Sequence, residues 1–128
     1  MKTIKTAIIA LLAFVSPNAW ADVTDVTQSF ANGNISKIET LLNSSVDVNI
    51  LGSTNSNCDK YRAKNLINDF FRKNKPTNYT LTNKTEKGKS TLVVGKLYTN
   101  NGEFSLLLQT VKEGDKDVIS QVKITQNH

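Results

Sequence analysis

Asp59-Lys60-Tyr61-Arg62-Ala63-Lys64-Asn65-Leu66-Ile67-Asn68-Asp69-Phe70-Phe71-Arg72-Lys73 is the stretch on which the fold turns. Ala63, Leu66, Ile67, Phe70 and Phe71 recur at spacings of three and four, which paints an apolar stripe along one face of a helix. Asp59 (or Ser56) caps its start. Asn74-Lys75-Pro76 stops it, because a residue before proline avoids helical angles. The wet side carries Lys60, Arg62, Lys64, Arg72 and Lys73, then Lys75, interrupted by Asp59 and Asp69. That spacing fits a solvated face, and it also offers an attraction for an anionic partner. The stripe itself needs a surface to lie on.

The residues downstream supply that surface. Asn78 to Thr85 is rich in Thr and Tyr and leads to Lys87-Gly88. Thr91 to Thr99 is β-branched and apolar and leads to Asn101-Gly102, a strong hairpin signal. Glu103 to Lys112, a turn at Glu113-Gly114-Asp115, and Asp117 to Thr125 complete four strands. Leu106, Leu107 and Leu108 are consecutive, so both faces of the sheet are apolar there. Val93, Leu97 and Leu107 alternate against Leu92, Val94, Leu106 and Leu108, and Tyr98 follows the phase of Leu92 and Val94, which is read as inward. A face turned to water does not need both sets. A homodimer across the open sheet face is the expected use of the second.

Upstream, Val23, Val26 and Phe30 mark a helix started by Asp22 or Thr24 and ended at Asn32-Gly33. Asn34 caps a second helix with Ile35, Ile38, Leu41 and Leu42 on its apolar side, closed by Asn43-Ser44-Ser45. Val46, Val48 and Ile50 alternate with Asp47 and Asn49 as a short strand, and Gly52 to Asn57 reads as a loop. Helices set ahead of an antiparallel meander imply an α+β fold, with the helices on one sheet face.

The first twenty-one residues read as an export leader. Lys2 and Lys5 precede an apolar run from Ala7 to Val15, Ser16-Pro17 breaks it, and Ala19-Trp20-Ala21 is a small-x-small cleavage pattern. The run is about half of the ~20 residues a membrane-spanning helix needs, so no membrane span is expected. Cleavage between Ala21 and Asp22 would leave one domain, residues 22–128, periplasmic or extracellular. Its charge falls from +5 for the whole chain to +3, as fourteen basic against eleven acidic residues remain. That is a solubility charge, not a nucleic-acid signature.

The composition narrows the chemistry. Cys58 is the only Cys, so no internal disulfide forms, and a buried thiol is expected. His128 is the only His and ends the chain, which removes a Cys-His catalyst and any Cys/His metal centre. No metal and no cofactor is called for. Asp47 faces water if Val46 and Val48 face inward, Asp69 lies on the wet side of its helix, and Asp25 and Glu103 read as surface charges. No catalytic residue is assigned.

The order of elements resembles the nuclear transport factor 2-like cone. More narrowly, the chain resembles a bacterial family of short secreted domains of unknown function with that cystatin-like fold. The residues that carry the likeness are Ser29-Phe30-Ala31-Asn32-Gly33-Asn34, Val46-Asp47-Val48-Asn49-Ile50, Ala63 through Asn74 with Asp69-Phe70-Phe71, and Gly95-Lys96-Leu97-Tyr98. Asn101-Gly102-Glu103-Phe104 and Gln121-Val122-Lys123-Ile124 complete it. The resemblance implies a cone between the long helix and a curved sheet, and it brings no active site with it; from the apolar stripe and the strand phase, Phe30, Leu66, Phe70, Tyr98 and Leu106 are the residues expected to line its pocket. It implies no particular activity, since that superfamily holds isomerases, dehydratases, adaptors and ligand carriers. Three readings follow. One is an exported, non-catalytic binding module for a small apolar ligand or a peptide. Another is a small isomerase or dehydratase-type enzyme using Asp47 or Tyr98 as a lone acid/base. The third is an envelope interaction protein using the basic helix face.

Overall fold

Asp59 caps the long helix as its sequence requires, its carboxylate accepting a hydrogen bond from the Arg62 backbone N–H at 2.8 Å. In the computed structural model, which describes residues 17–126, that helix runs Lys60–Lys73. It is α3. Two helices precede it, α1 (Pro17–Ala31) and α2 (Ile35–Leu41), with β1 (Leu42–Ile50) and β2 (Ser53–Cys58) between α2 and α3. Four long strands follow: β3 (Pro76–Lys87), β4 (Ser90–Thr99), β5 (Gly102–Glu113) and β6 (Lys116–Gln126). Residues 1–16 of the expected leader, and His128, lie outside the described residues.

Several boundaries differ from the sequence reading. Helix α1 begins at Pro17, so Asp22 and Thr24 lie within it and not at its start. Pro suits a first helical position, where its missing N–H has no partner to lose. Asn34 does cap α2, accepting from the Lys37 backbone N–H at 3.2 Å, but Asn43-Ser44-Ser45 already belongs to β1. Residues 53–57, expected as a loop, form most of β2. This is an edge strand, so it has no apolar face to announce it; only Cys58 of β2 is buried.

The six strands form one sheet in the order β2-β1-β6-β5-β4-β3. Neighbours are antiparallel except β1 and β6, which run parallel, so the sheet is mixed at that one seam. The seam follows from topology: the chain leaves β1 early and returns beside it only with its last strand. Register shifts interrupt the pairing in β1 at Val46/Val48, in β3 at Leu81/Asn83 and between β5 and β6 at Gln109/Thr110. Such bulges bend strands and increase twist, which lets the sheet wrap round its helices.

Among the described residues, all three helices lie on one face of the sheet. Helix α1 covers β3 and β4, and α3 covers β1 and the edge of β2. Ala63, Ile67, Phe70 and Phe71 are buried, so the apolar stripe of α3 faces the sheet as its spacing demands. Phe71 meets Phe30 edge-on with ring centroids 6.0 Å apart, and Phe70 meets Phe104 edge-on at 5.0 Å. These rings tie α1, α3 and β5 together, each burying apolar area worth about 1.5–3 kcal/mol.

The inward phase of the sheet is the reverse of one sequence assignment. Val93 pairs with Leu108 and Leu97 with Phe104, and all four are buried with Leu106, Val122 and Ile124. Leu92, Val94, Tyr98 and Leu107 therefore face outward. The two-residue turn at Asn100-Asn101 sets odd positions of β4 against even positions of β5, which puts Leu106 and Leu108 on the same face as Val93 and Leu97, the face the helices cover.

Candidate functional site

The space under the long helix is filled over most of its length. Phe30 and Leu106, two of the expected lining residues, are fully buried in the packed core. The interior opens where α3 crosses the β1–β2 hairpin. There a groove of about 250 Å3 is lined by Val48, Ile50 and Leu51 of the hairpin and by Leu66, Asp69, Phe70, Lys73 and Asn74 of the helix and its cap, with Ser53 and Asn55 along β2.

Each wall has a local cause. Val48 and Ile50 share the inward phase of β1. Leu66 and Phe70 lie one turn apart on α3, at the edge of its buried stripe. Leu51 and Gly52 form a two-residue hairpin turn with both φ positive, +52° and +90°. That is the signature of a type I′ turn, in which Asn or Gly normally precedes the Gly. Leucine in a left-handed conformation costs about 1 kcal/mol. Leu51 is also 49% exposed, so neither burial nor backbone preference accounts for it. Its backbone N–H is fixed to the Ile124 carbonyl at 2.8 Å, which holds the turn against β6.

The polar groups of the groove are mostly engaged already. Arg62 donates to Asn55 Oδ1 at 3.0 Å. Asn74 donates its Nδ2 to the Phe70 carbonyl at 3.2 Å, and its Oδ1 accepts from Asn101 at 3.3 Å. Asp69 forms an ion pair with Arg72. The surface left to a ligand is therefore an apolar floor with Ser53 and Lys73 at its rim.

Of the five expected lining residues, Leu66 and Phe70 are brought together in this groove. Tyr98 lies on the outward sheet face, opposite Glu103 in the β4–β5 register. Leu51, Ser53, Lys73 and Asn74 were missed by sequence reasoning. The signal available for Leu51 was its place before Gly52, between an alternating run and a polar one.

The carboxylates weighed as acid/base groups have structural partners. Asp47 is exposed, and its Oδ1 accepts from the Asn57 backbone N–H at 2.9 Å. Asn57 sits at φ +54° where β2 leaves register, and Ser45 donates to its side chain at 3.2 Å. Asp47 thus stabilises a bulge. Glu103 pairs with Lys96 at 3.7 Å on the outward face. Burial pushes the Tyr79 phenol well above the usual tyrosine range. It lies over Gly95, away from the groove. Cys58 is buried, 4% exposed, with its thiol near the Asn55 carbonyl. Among the described residues no cluster of His, Cys, Asp and Glu is set to hold a metal, and no helix is long and apolar enough to cross a membrane.

Residues 23–125 match a protein family described as a domain of unknown function, DUF4783. The chain is similar to crystal structures of two DUF4783 family proteins. One, from Bacteroides ovatus, is 25% identical with a TM-score of 0.77, over 81% of this chain and 94% of that one. The other, from Bacteroides uniformis, is 27% identical with a TM-score of 0.76, over 81% and 95%. An NTF2-like protein of unknown function from Cytophaga hutchinsonii, 14% identical with a TM-score of 0.58 over 82% and 86%, shares the fold alone. Among curated proteins none matches the chain. The α+β cone with its helices on one sheet face is thus the nuclear transport factor 2-like fold that the order of elements resembles.

Proposed function

The chain belongs to the DUF4783 family, and from that premise we propose that it is a non-catalytic binding module whose site is the groove between α3 and the β1–β2 hairpin. The observation that carries this reading is a groove lined by Val48, Ile50, Leu66 and Phe70, where Ile50 and Leu66 keep part of their apolar surface open beside polar groups that already have partners. Buried apolar area is the main source of affinity in such a site, and a few polar groups fix orientation. The volume, about 250 Å3, suits one side chain or a short aliphatic chain. Calorimetric titration with 1-octanol tests the reading. Saturable one-to-one binding that Leu66→Arg abolishes supports it, and the same weak uptake by both proteins sinks it.

The module works after export. The leader pattern ending at Ala19-Trp20-Ala21 supports this, as does a family match that begins at Val23. Amino-terminal sequencing of protein recovered from the host envelope should read from Asp22. A start at Met1 would remove this part of the proposal.

The outward sheet face joins two copies. Leu92 is 36% exposed there, next to Val94 and Leu107 in register. Lys96 and Glu103 on the same face give it both charges, as a self-complementary contact needs. Sedimentation equilibrium should show a dimer that Leu107→Lys converts to monomer; a monomeric parent protein contradicts this.

A further inference from the structure

The charge at the groove rim does not balance, and the imbalance points to a ligand class. Two ionic side chains of α3 line the groove, Asp69 and Lys73. Asp69 is paired with Arg72, one turn along the helix. Lys73 has no ion-pair or hydrogen-bond partner for its ammonium among the described residues. A helix C-terminus normally disfavours an anion, through its unpaired carbonyls. Here the Phe70 carbonyl is bonded by the Asn74 N–H at 2.8 Å and by the Asn74 side chain, and the Lys73 carbonyl by Asn101 Nδ2. With these two carbonyls bonded, the ionic group that the rim leaves unpaired is the Lys73 ammonium, and Ser53 of β2 also lines the groove.

Resting on the reading of this groove as the binding site, we infer that its ligand is a medium-chain aliphatic carboxylate, with the chain on the floor and the carboxylate at Lys73. One cation matches one negative charge. The groove, about 250 Å3 and open along one side, suits a short acyl chain lying along its apolar lining. A free fatty acid suits the floor better than a peptide ending in an apolar residue. A peptide would carry amide groups over Val48, Ile50, Leu66 and Phe70, and buried amides without partners are costly. The exposed Leu51 side chain, held at its strained φ, forms the outer wall against which an acyl chain packs.

The test compares octanoate, 1-octanol and N-acetyl-leucyl-leucine on the full chain at neutral pH, read by calorimetry. Octanoate should bind about threefold tighter than 1-octanol, the scale of an exposed charge pair. The difference between octanoate and 1-octanol should vanish in Lys73→Met and Lys73→Gln, and should shrink in high salt. Equal binding of octanoate and 1-octanol overturns the carboxylate assignment and leaves the groove reading standing. Tighter binding of the dipeptide overturns the fatty acid in favour of a peptide end. Binding of none of the three overturns both the assignment and the groove reading.

Discussion

The Tyr79 ring lies across the face of Gly95, and the absence of a side chain at Gly95 is what admits it. A Cβ there would collide with the ring of Tyr79 and with the Thr80 carbonyl oxygen. The phenol reaches across β4 and donates to the Leu106 carbonyl at 3.5 Å, linking β3 to β5 over the intervening strand. An aromatic ring over a strand glycine replaces the packing that the glycine lacks.

Gly95→Ala should therefore destabilise the fold by about 1–3 kcal/mol, the usual cost of overpacking. Denaturant unfolding measures it. Combined with Tyr79→Ala, the loss should be less than the sum of the two single losses, because the ring no longer meets the new methyl group. It should not disappear, since the Thr80 carbonyl still stands in the way.

Burial also raises the Tyr79 phenol above its ordinary value of 10.0. A raised folded-state value favours the neutral form, so its contribution is fully present below that pH and is lost as pH rises past it. Stability should fall on the alkaline side, and Tyr79→Phe should flatten that fall. Unfolding midpoints measured from neutral pH to above pH ~10 check this. Equal slopes for the two proteins would contradict it.

Asp47→Ala should cost about 1 kcal/mol, through the lost acceptor for the Asn57 N–H at the β1–β2 bulge. Asp47→Asn, which keeps an acceptor oxygen, should cost less. Unaltered stability in Asp47→Ala would show that this carboxylate is not held for structure and would reopen the acid/base reading.

Leu51→Asn should stabilise the protein by up to about 1 kcal/mol, because Asn tolerates positive φ at less cost. The same substitution removes a groove wall, so 1-octanol affinity should drop a few-fold. Thermal unfolding and calorimetry read the two effects separately. A gain in stability with no loss of binding would place Leu51 outside the site.

Much of this architecture is legible in the sequence because its signals are local. The stripe Ala63, Leu66, Ile67, Phe70 and Phe71 places α3 and its buried face, and Asp59 fixes its start. Turns at Gly88, at Asn100-Asn101 and at Gly114 separate four strands whose bounds differ from the expected ones by a residue or two. Strand β2 is not legible, because Ser53, Thr54, Asn55 and Ser56 bury no apolar side chain and the strand is defined by its pairing with β1. The parallel seam between β1 and β6 is also hidden, since it joins residues far apart in the chain. The inward phase was within reach: a two-residue turn sets Val93 against Leu108 and sends Tyr98 outward, a parity that the run Leu106-Leu107-Leu108 masks. For the site, apolar spacing finds Leu66 and Phe70. The rest of the groove depends on where the hairpin tip meets the helix end, which no local pattern encodes.

The central claim is that ligand sits between α3 and the β1–β2 hairpin, and methyl NMR during a 1-octanol titration tests it most directly. The account predicts saturable shifts at Val48, Ile50, Leu51 and Leu66, with Leu92, Val94 and Leu107 on the outward face unmoved. Shifts confined to the outward face, or none that saturate at the groove, would contradict it.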